Sequence, residues 1–399
     1  MSPKATPQAR SSVASSISTR KKLLYGIITA VMVLGGVELG LHAMWGPSPP
    51  SDMVARLSQC EIRVDGTHSG LDCHPGERED VSVTAAPEKP RVVFLGGSSV
   101  RESHDVSKVH NFPAMLGLRI PEIEAVNFGA TGLTVANVAR LASELEALSP
   151  DLVVIYSGHN DFNNDVFLGK IGGVKLWMIP VYQWLAKSWA YAALNRGSVP
   201  SAHKQRGRGG LIGTQDRTAF DVRSSVSSRL ESDLRLAVRE SPAPVLITTL
   251  LRNFSDRPAG VVLDDAPDCE NTLPHLGVDG SSARGKWELA QRDCPGTSIA
   301  HWWAAQAYAA AGQRTQAVES WYASLSSDPV PLRAPPDADR VIRKVAAETG
   351  ATLVDLEQQL GPMASSRYFV DTLHLSSAGA EAVATALLPH IETALSAVE

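Results

Sequence analysis

The chain has 399 residues, of which 20% are charged and 44% hydrophobic, with 37 Lys and Arg against 42 Asp and Glu for a formal net charge of −5. That is a globular composition, long enough for one large α/β domain with insertions or for two ordinary domains. A mildly acidic chain carries no electrostatic footprint for nucleic acid, so no nucleic-acid partner is expected.

The charge is unevenly placed. Residues 1–22 hold Lys4, Arg10, Arg20, Lys21 and Lys22 and no acidic residue, and read as a basic tail. The tail runs into residues 23–45, an apolar stretch interrupted by Glu38. A membrane span needs about 20 such residues. The basic flank should stay inside and send the rest of the chain outside. A signal peptide is the alternative, but its apolar core runs only about 7–15 residues and Leu41-His42-Ala43 is a poor cleavage site. The flanks also argue against a buried core helix: the basic tail precedes the stretch, and Gly46-Pro47-Ser48-Pro49-Pro50 follows it.

Residues 46–90 read as a Pro/Gly-rich linker and an irregular cysteine-bearing segment. The four cysteines, Cys60, Cys73, Cys269 and Cys294, are too widely spaced for a zinc site or a CxxC redox motif. In an oxidising compartment the sequence-near pairs Cys60–Cys73 and Cys269–Cys294 would staple long loops. Four cysteines allow three pairings, and free buried thiols are the alternative.

From Arg91 onward a repeating pattern begins. Short apolar runs at 91–95, 123–128, 152–156, 244–251 and 351–355 read as strands, and the first three end at a Gly-bearing turn. Apolar residues at helical spacing from Val135 to Leu148 close at Pro150. Continuous apolar strands alternating with helices predict an α/β fold with a parallel sheet of about five strands covered on both faces. Insertions interrupt the pattern at about 165–215 and 256–338. The first holds a Trp-rich stretch, 177–194, expected to be helical, and a basic loop, 195–210, read as a solvated face. Within the second, Tyr308, Gly312, Ala317, Trp321 and Pro329 fall at the offsets of one tetratricopeptide-like hairpin over about 298–329. Such a unit must pack on the main domain; presenting a peptide-binding surface to a protein partner is its less ordinary use.

Four short signals follow four different strands. Gly96-Gly97-Ser98-Ser99 allows a tight strand-to-helix turn that lifts a serine hydroxyl to the sheet edge. Asn127-Phe128-Gly129 puts a backbone N–H where a ligand oxygen could approach. Gly158-His159-Asn160-Asp161 supplies a side-chain amide, a neutral donor suited to an oxyanion. Asp371-Thr372-Leu373-His374 sets a carboxylate three residues before an imidazole that it can orient as a base. Each alone is an ordinary loop sequence. Together they fall where open parallel sheets bind ligands, at the carboxyl ends of the strands. Arg252, Asn253 and Asp256 follow the fourth strand at the same edge and are candidate substrate contacts, with a solvated loop as the alternative. His159 is a further candidate contact, with a structural role as the alternative. No His and carboxylate spacing suggests a metal.

On these four blocks the chain resembles the SGNH/GDSL hydrolase family over about Arg91 to Glu399, insertions apart. The resemblance implies a flavodoxin-like three-layer α/β/α sandwich and a serine esterase without metal or cofactor. Ser98 would be the nucleophile and His374 its base, oriented by Asp371. Ser98, Gly129 and Asn160 would form the oxyanion hole. Gly97 departs from the family, standing where its name-giving Asp often sits. The N-terminal span and helical insertion resemble a membrane-anchored bacterial subgroup, which implies a single pass through the inner membrane and a periplasmic catalytic domain. The expected substrate is an acyl ester, with O-acyl esters of envelope carbohydrate or lipid foremost. Two alternatives stand beside this: an O-acyltransferase using the same triad, and a non-catalytic scaffold.

Overall fold

The computed structural model describes residues 25, 28–29, 32–33, 35–36, 59–65, 68–74, 77–81, 83, 87–101, 111–162, 212–214, 218–258, 260–262, 269, 272, 282–329, 333–361 and 367–397. The expected span, 23–45, lies almost wholly outside these residues. Among the described residues no helix is long and apolar enough to cross a membrane. The Trp-rich stretch at 177–194 and the basic loop at 195–210 also lie outside them.

The first described unit corrects an expectation. Strands β1 (Gln59–Asp65), β2 (His68–His74) and β3 (Glu77–Val81) form an antiparallel meander where an irregular segment was expected. Their polar sequences lack the apolar runs of buried strands. The backbone register sets Cys60 opposite Cys73.

The main sheet is parallel throughout. Its strands are β4 (Arg91–Gly96), β5 (Glu124–Gly129), β6 (Leu152–Tyr156), β8 (Val245–Thr248) and β10 (Thr352–Val354), in the order β10-β8-β6-β4-β5. Two short strands, β7 (Ile212–Thr214) and β9 (Gly260–Val262), pair separately. Strands β4 and β6 are fully buried along their length because both faces are covered. The fourth strand is shorter than its apolar run. The amides of Leu250 and Leu251 leave the ladder for Asp339 Oδ1 (2.9 Å) and the Tyr156 hydroxyl (3.2 Å).

Helix α1 (Phe112–Arg119) links β4 to β5, α2 (Val135–Glu144) links β5 to β6, and α3 (Thr218–Glu240) leads into β8. With right-handed crossovers, α1 lies on one face and α2 and α3 on the other. The chain leaves β4 in one direction and crosses back past it to β6, so the switch point of the sheet is the carboxyl end of β4, where Ser98 sits.

The second insertion is helical. Helices α4 (Ala283–Asp293), α5 (Ser298–Ala310) and α6 (Arg314–Ser327) pack in succession, with α5 and α6 forming a hairpin. Cys269 and Cys294 form a disulfide within a small core that includes Ile299 and Ala300. A second core gathers Ala305, Ala317, Trp321 and Leu325 around Phe254, a residue of the loop after β8. The chain then returns to the sheet domain through α7 (Pro336–Thr349), β10, the short α8 (Leu356–Leu360) and the C-terminal α9 (Ser377–Ser396).

Candidate active site

Three strands end side by side at the switch point. Gly96 of β4 is in register with Gly129 of β5 and Tyr156 of β6. Two residues beyond Gly96, Ser98 begins a turn closed by Val100 and Arg101 N–H groups donating to the Gly97 carbonyl. Asn127 braces this turn from β5, donating its amide to the Val100 carbonyl at 3.1 Å. Ser99 ties it to the opposite loop by donating its hydroxyl to the Leu373 carbonyl at 3.3 Å.

The Asp371–His374 loop is a tight excursion between Tyr368 and α9, pinched by a Phe369–Leu375 bridge and by Val370 N–H donating to the His374 carbonyl. Asp371 Oδ1 accepts the backbone N–H groups of Leu373 and His374 at 2.9 and 2.8 Å. Its Oδ2 lies 2.6 Å from His374 Nδ1, and His374 Nε2 lies 2.7 Å from Ser98 Oγ. Residues 276 positions apart thus form one continuous relay. Partial burial works to raise the Asp371 carboxyl, but the His374 imidazole and the two amides outweigh it and hold it down at about 2. An ionised Asp371 fixes the Nδ1–H tautomer and turns the Nε2 lone pair toward the serine.

The donor side differs from expectation at one residue. The Gly129 N–H, expected to face an oxyanion, donates instead to Asn127 Oδ1 at 2.9 Å. A Cβ on Gly129 would sit 2.5 Å from Arg101 N and 2.8 Å from Val100 Cβ. Glycine is needed there so that the serine turn can lie on β5, not to expose a donor. The 130–134 turn is the part of this block that reaches the serine. The Leu133 carbonyl accepts the Asn160 side-chain amide at 2.9 Å, and a Cβ on Gly97 would lie 3.4 Å from that carbonyl and 2.5 Å from Asn160 Nδ2. Asn160 is therefore packed against the residue preceding Ser98, and a side chain at Gly97 would have to displace the Asn160 amide.

Asp161, next in sequence, is buried and accepts the Val135 N–H with both carboxylate oxygens at 3.1 Å. It anchors the start of α2 and so the end of the 130–134 turn. Burial pushes its carboxyl up to about 7 despite the Val135 contact.

The other candidate substrate contacts are corrected. Arg252 is fully buried: it donates to the carbonyls of Leu250, Ala334 and Pro335 and pairs with Asp339 at 2.5 Å. No face of it is left for a substrate. Asn253 is buried as well, with its amide on the Asp371 carbonyl. His159 is 4% exposed, and its Nδ1 accepts the Ala334 N–H at 3.1 Å. Burial, with the charge of Arg252, keeps this imidazole neutral by pushing it down to about 3. All three serve the seam between sheet domain and insertion. Of the four cysteines flagged in the sequence, Cys269 and Cys294 are bonded to each other far from the relay in sequence. Among the described residues no cluster of His, Cys, Asp and Glu could hold a metal.

Comparison with known proteins gives only distant likenesses. No family model matches the chain, and no curated protein matches it. Among solved structures it is similar to a member of the lipolytic protein G-D-S-L family from Veillonella parvula, at 11% identity and a TM-score of 0.35 over 75% of this chain and 96% of that one. It is similar to a lipase/acylhydrolase from Enterococcus faecalis at 15% identity and 0.36, covering 76% and 96%. An extracellular lipase from Streptomyces rimosus matches at 14% identity and 0.36, covering 76% and 99%. The functional reading below rests on the relay and its surroundings.

Proposed function

We propose that the chain is a serine esterase working by acyl transfer through Ser98. The observation that carries the reading is the relay Asp371–His374–Ser98, with contacts of 2.6 and 2.7 Å at the switch point of a parallel sheet. His374 Nε2 takes the hydroxyl proton as Ser98 Oγ attacks the ester carbonyl. The carbonyl oxygen becomes an oxyanion, received by the Ser98 N–H and the Asn160 amide. One Asn160 N–H goes to Leu133; an amide carries two, so the contact aims the other. The tetrahedral intermediate collapses as His374 returns the proton to the leaving alcohol. Water then attacks the acyl-serine by the same route in reverse, giving the acid and free Ser98.

The substrate reading is an O-acyl ester of envelope carbohydrate or lipid, reached by a domain outside the membrane and tethered by residues 23–45. Its support is the basic-then-apolar N-terminus and the Cys269–Cys294 disulfide, a bond that persists in oxidising compartments. The test is turnover of a short-chain aryl ester by the purified protein. Ser98→Ala and His374→Ala should each lower kcat by about 10⁴-fold or more. Wild-type turnover in purified Ser98→Ala would sink the assignment.

A further inference from the structure

The loop after β8 reaches both the Asp371–His374 loop and the helical insertion with its polar groups. The Asn253 N–H donates to the Thr372 carbonyl at 3.2 Å and its Nδ2 to the Asp371 carbonyl at 2.8 Å. Three residues on, the Asp256 carboxylate accepts the Thr372 hydroxyl. On the other side, the buried Arg333, where the insertion rejoins the sheet domain, donates Nη1 to the Asn253 carbonyl and Nη2 to the Asp256 carbonyl, both at 2.8 Å. Between them Phe254 is plugged into the hairpin core, its ring 5.2 Å from Tyr322 and 5.9 Å from Trp321.

The Asp371–His374 loop needs such an external hold. It lies at the rim, with the Asp371 side chain half exposed; its bridge and the Asp371 turn fix it internally, and the Ser99 hydroxyl on the Leu373 carbonyl ties it to the serine turn. The 2.7 Å contact from His374 to Ser98 survives only if the loop as a whole is fixed relative to β4. Resting on the esterase reading above, we infer that Asn253 is a positioning residue for the Asp371–His374 pair, and that the helical insertion sets its position through Phe254 and Arg333. The insertion is then a buttress of the catalytic loop. Asn253 never meets the substrate; it acts through the Asp371 and Thr372 carbonyls.

Two variants separate this role from local turn building. Asn253 Oδ1 also caps its own turn, accepting the Ser255 N–H at 3.1 Å. Asn253→Asp keeps that acceptor and loses the Nδ2 donor, whereas Asn253→Ala loses both. In the full-length protein, with p-nitrophenyl acetate, both variants should lower kcat about 10²-fold with KM within about twofold of the parent. The far-downfield proton resonance of the His374 Nδ1–H to Asp371 hydrogen bond should shift or broaden in both. Parental kcat and resonance in Asn253→Asp would overturn the inference, because turn capping alone would then account for the residue. Should both variants fail to fold, Thr372→Val, which cuts the tether to Asp256, must lower kcat by itself, and an unchanged kcat there overturns it. Failure of the esterase reading looks different: Ser98→Ala would then keep its turnover whatever Asn253 does.

Discussion

The Ser98 side and the Asp371–His374 side of the candidate site are held by opposite means. Ser98 and Asn160 ride on the ends of buried strands, packed so closely that a side chain at Gly129 would strike backbone and one at Gly97 would displace Asn160. Moving them means moving the core. Asp371 and His374 ride on a rim loop whose outer face is fastened by hydrogen bonds from the loop after β8, and that loop is fastened in turn by the insertion. The first half is fixed by packing density, which is unforgiving but needs no partner. The second depends on a seam of buried polar contacts more than a hundred residues away in sequence.

Breaking that seam should have the largest effect on stability. Arg252→Met would leave Asp339 buried without its cation, at a cost of about 3–5 kcal/mol in urea unfolding. An unchanged midpoint would mean that the insertion is held by its apolar core alone. On the strand-borne half the largest change should be catalytic. Asn160→Ala should lower kcat by about 10²–10³-fold with little change in the unfolding midpoint, read from paired kinetics and melts. A large loss of stability instead would recast Asn160 as a packing residue.

The smallest effect distinguishes the two halves by pH. Asp161 has an ordinary value of 3.8 and is pushed up to about 7 on folding, so the folded chain keeps a proton that the unfolded chain releases. Its contribution to stability therefore falls as pH rises through that window. His159, pushed down from 6.5 to about 3, runs the other way: its contribution grows from about pH 3 and is complete above 6.5. Asp161→Asn should thus reduce the stability lost between pH 4 and 7, measured by urea midpoints along the pH axis. A parallel shift at every pH would show that Asp161 does not titrate in the fold.

The five main strands and the relay were legible because each leaves a local mark. Buried parallel strands are written as continuous apolar runs, and Asp371 and His374 lie three residues apart beside a helix start. Gly129 was misread because a glycine that exposes a donor and one that admits a neighbouring backbone look the same in sequence. Asn253 was flagged for the right edge and the wrong partner. It bonds to main-chain carbonyls of residues 371 and 372, and a carbonyl has no letter in the sequence. The β1–β3 meander was missed because its strands are polar.

Gly97 has a consequence for how such a site can change over generations. A Cβ there would press on Asn160 Nδ2 at 2.5 Å, the tip of a side chain whose orientation is set by the Leu133 carbonyl. The fold could yield by swinging Asn160 aside, so a side chain at position 97 would turn the Asn160 amide away from the Leu133 carbonyl and from Ser98. The two positions are coupled: whatever stands at 97 sets where the amide at 160 can point, so neither can be altered without the other answering.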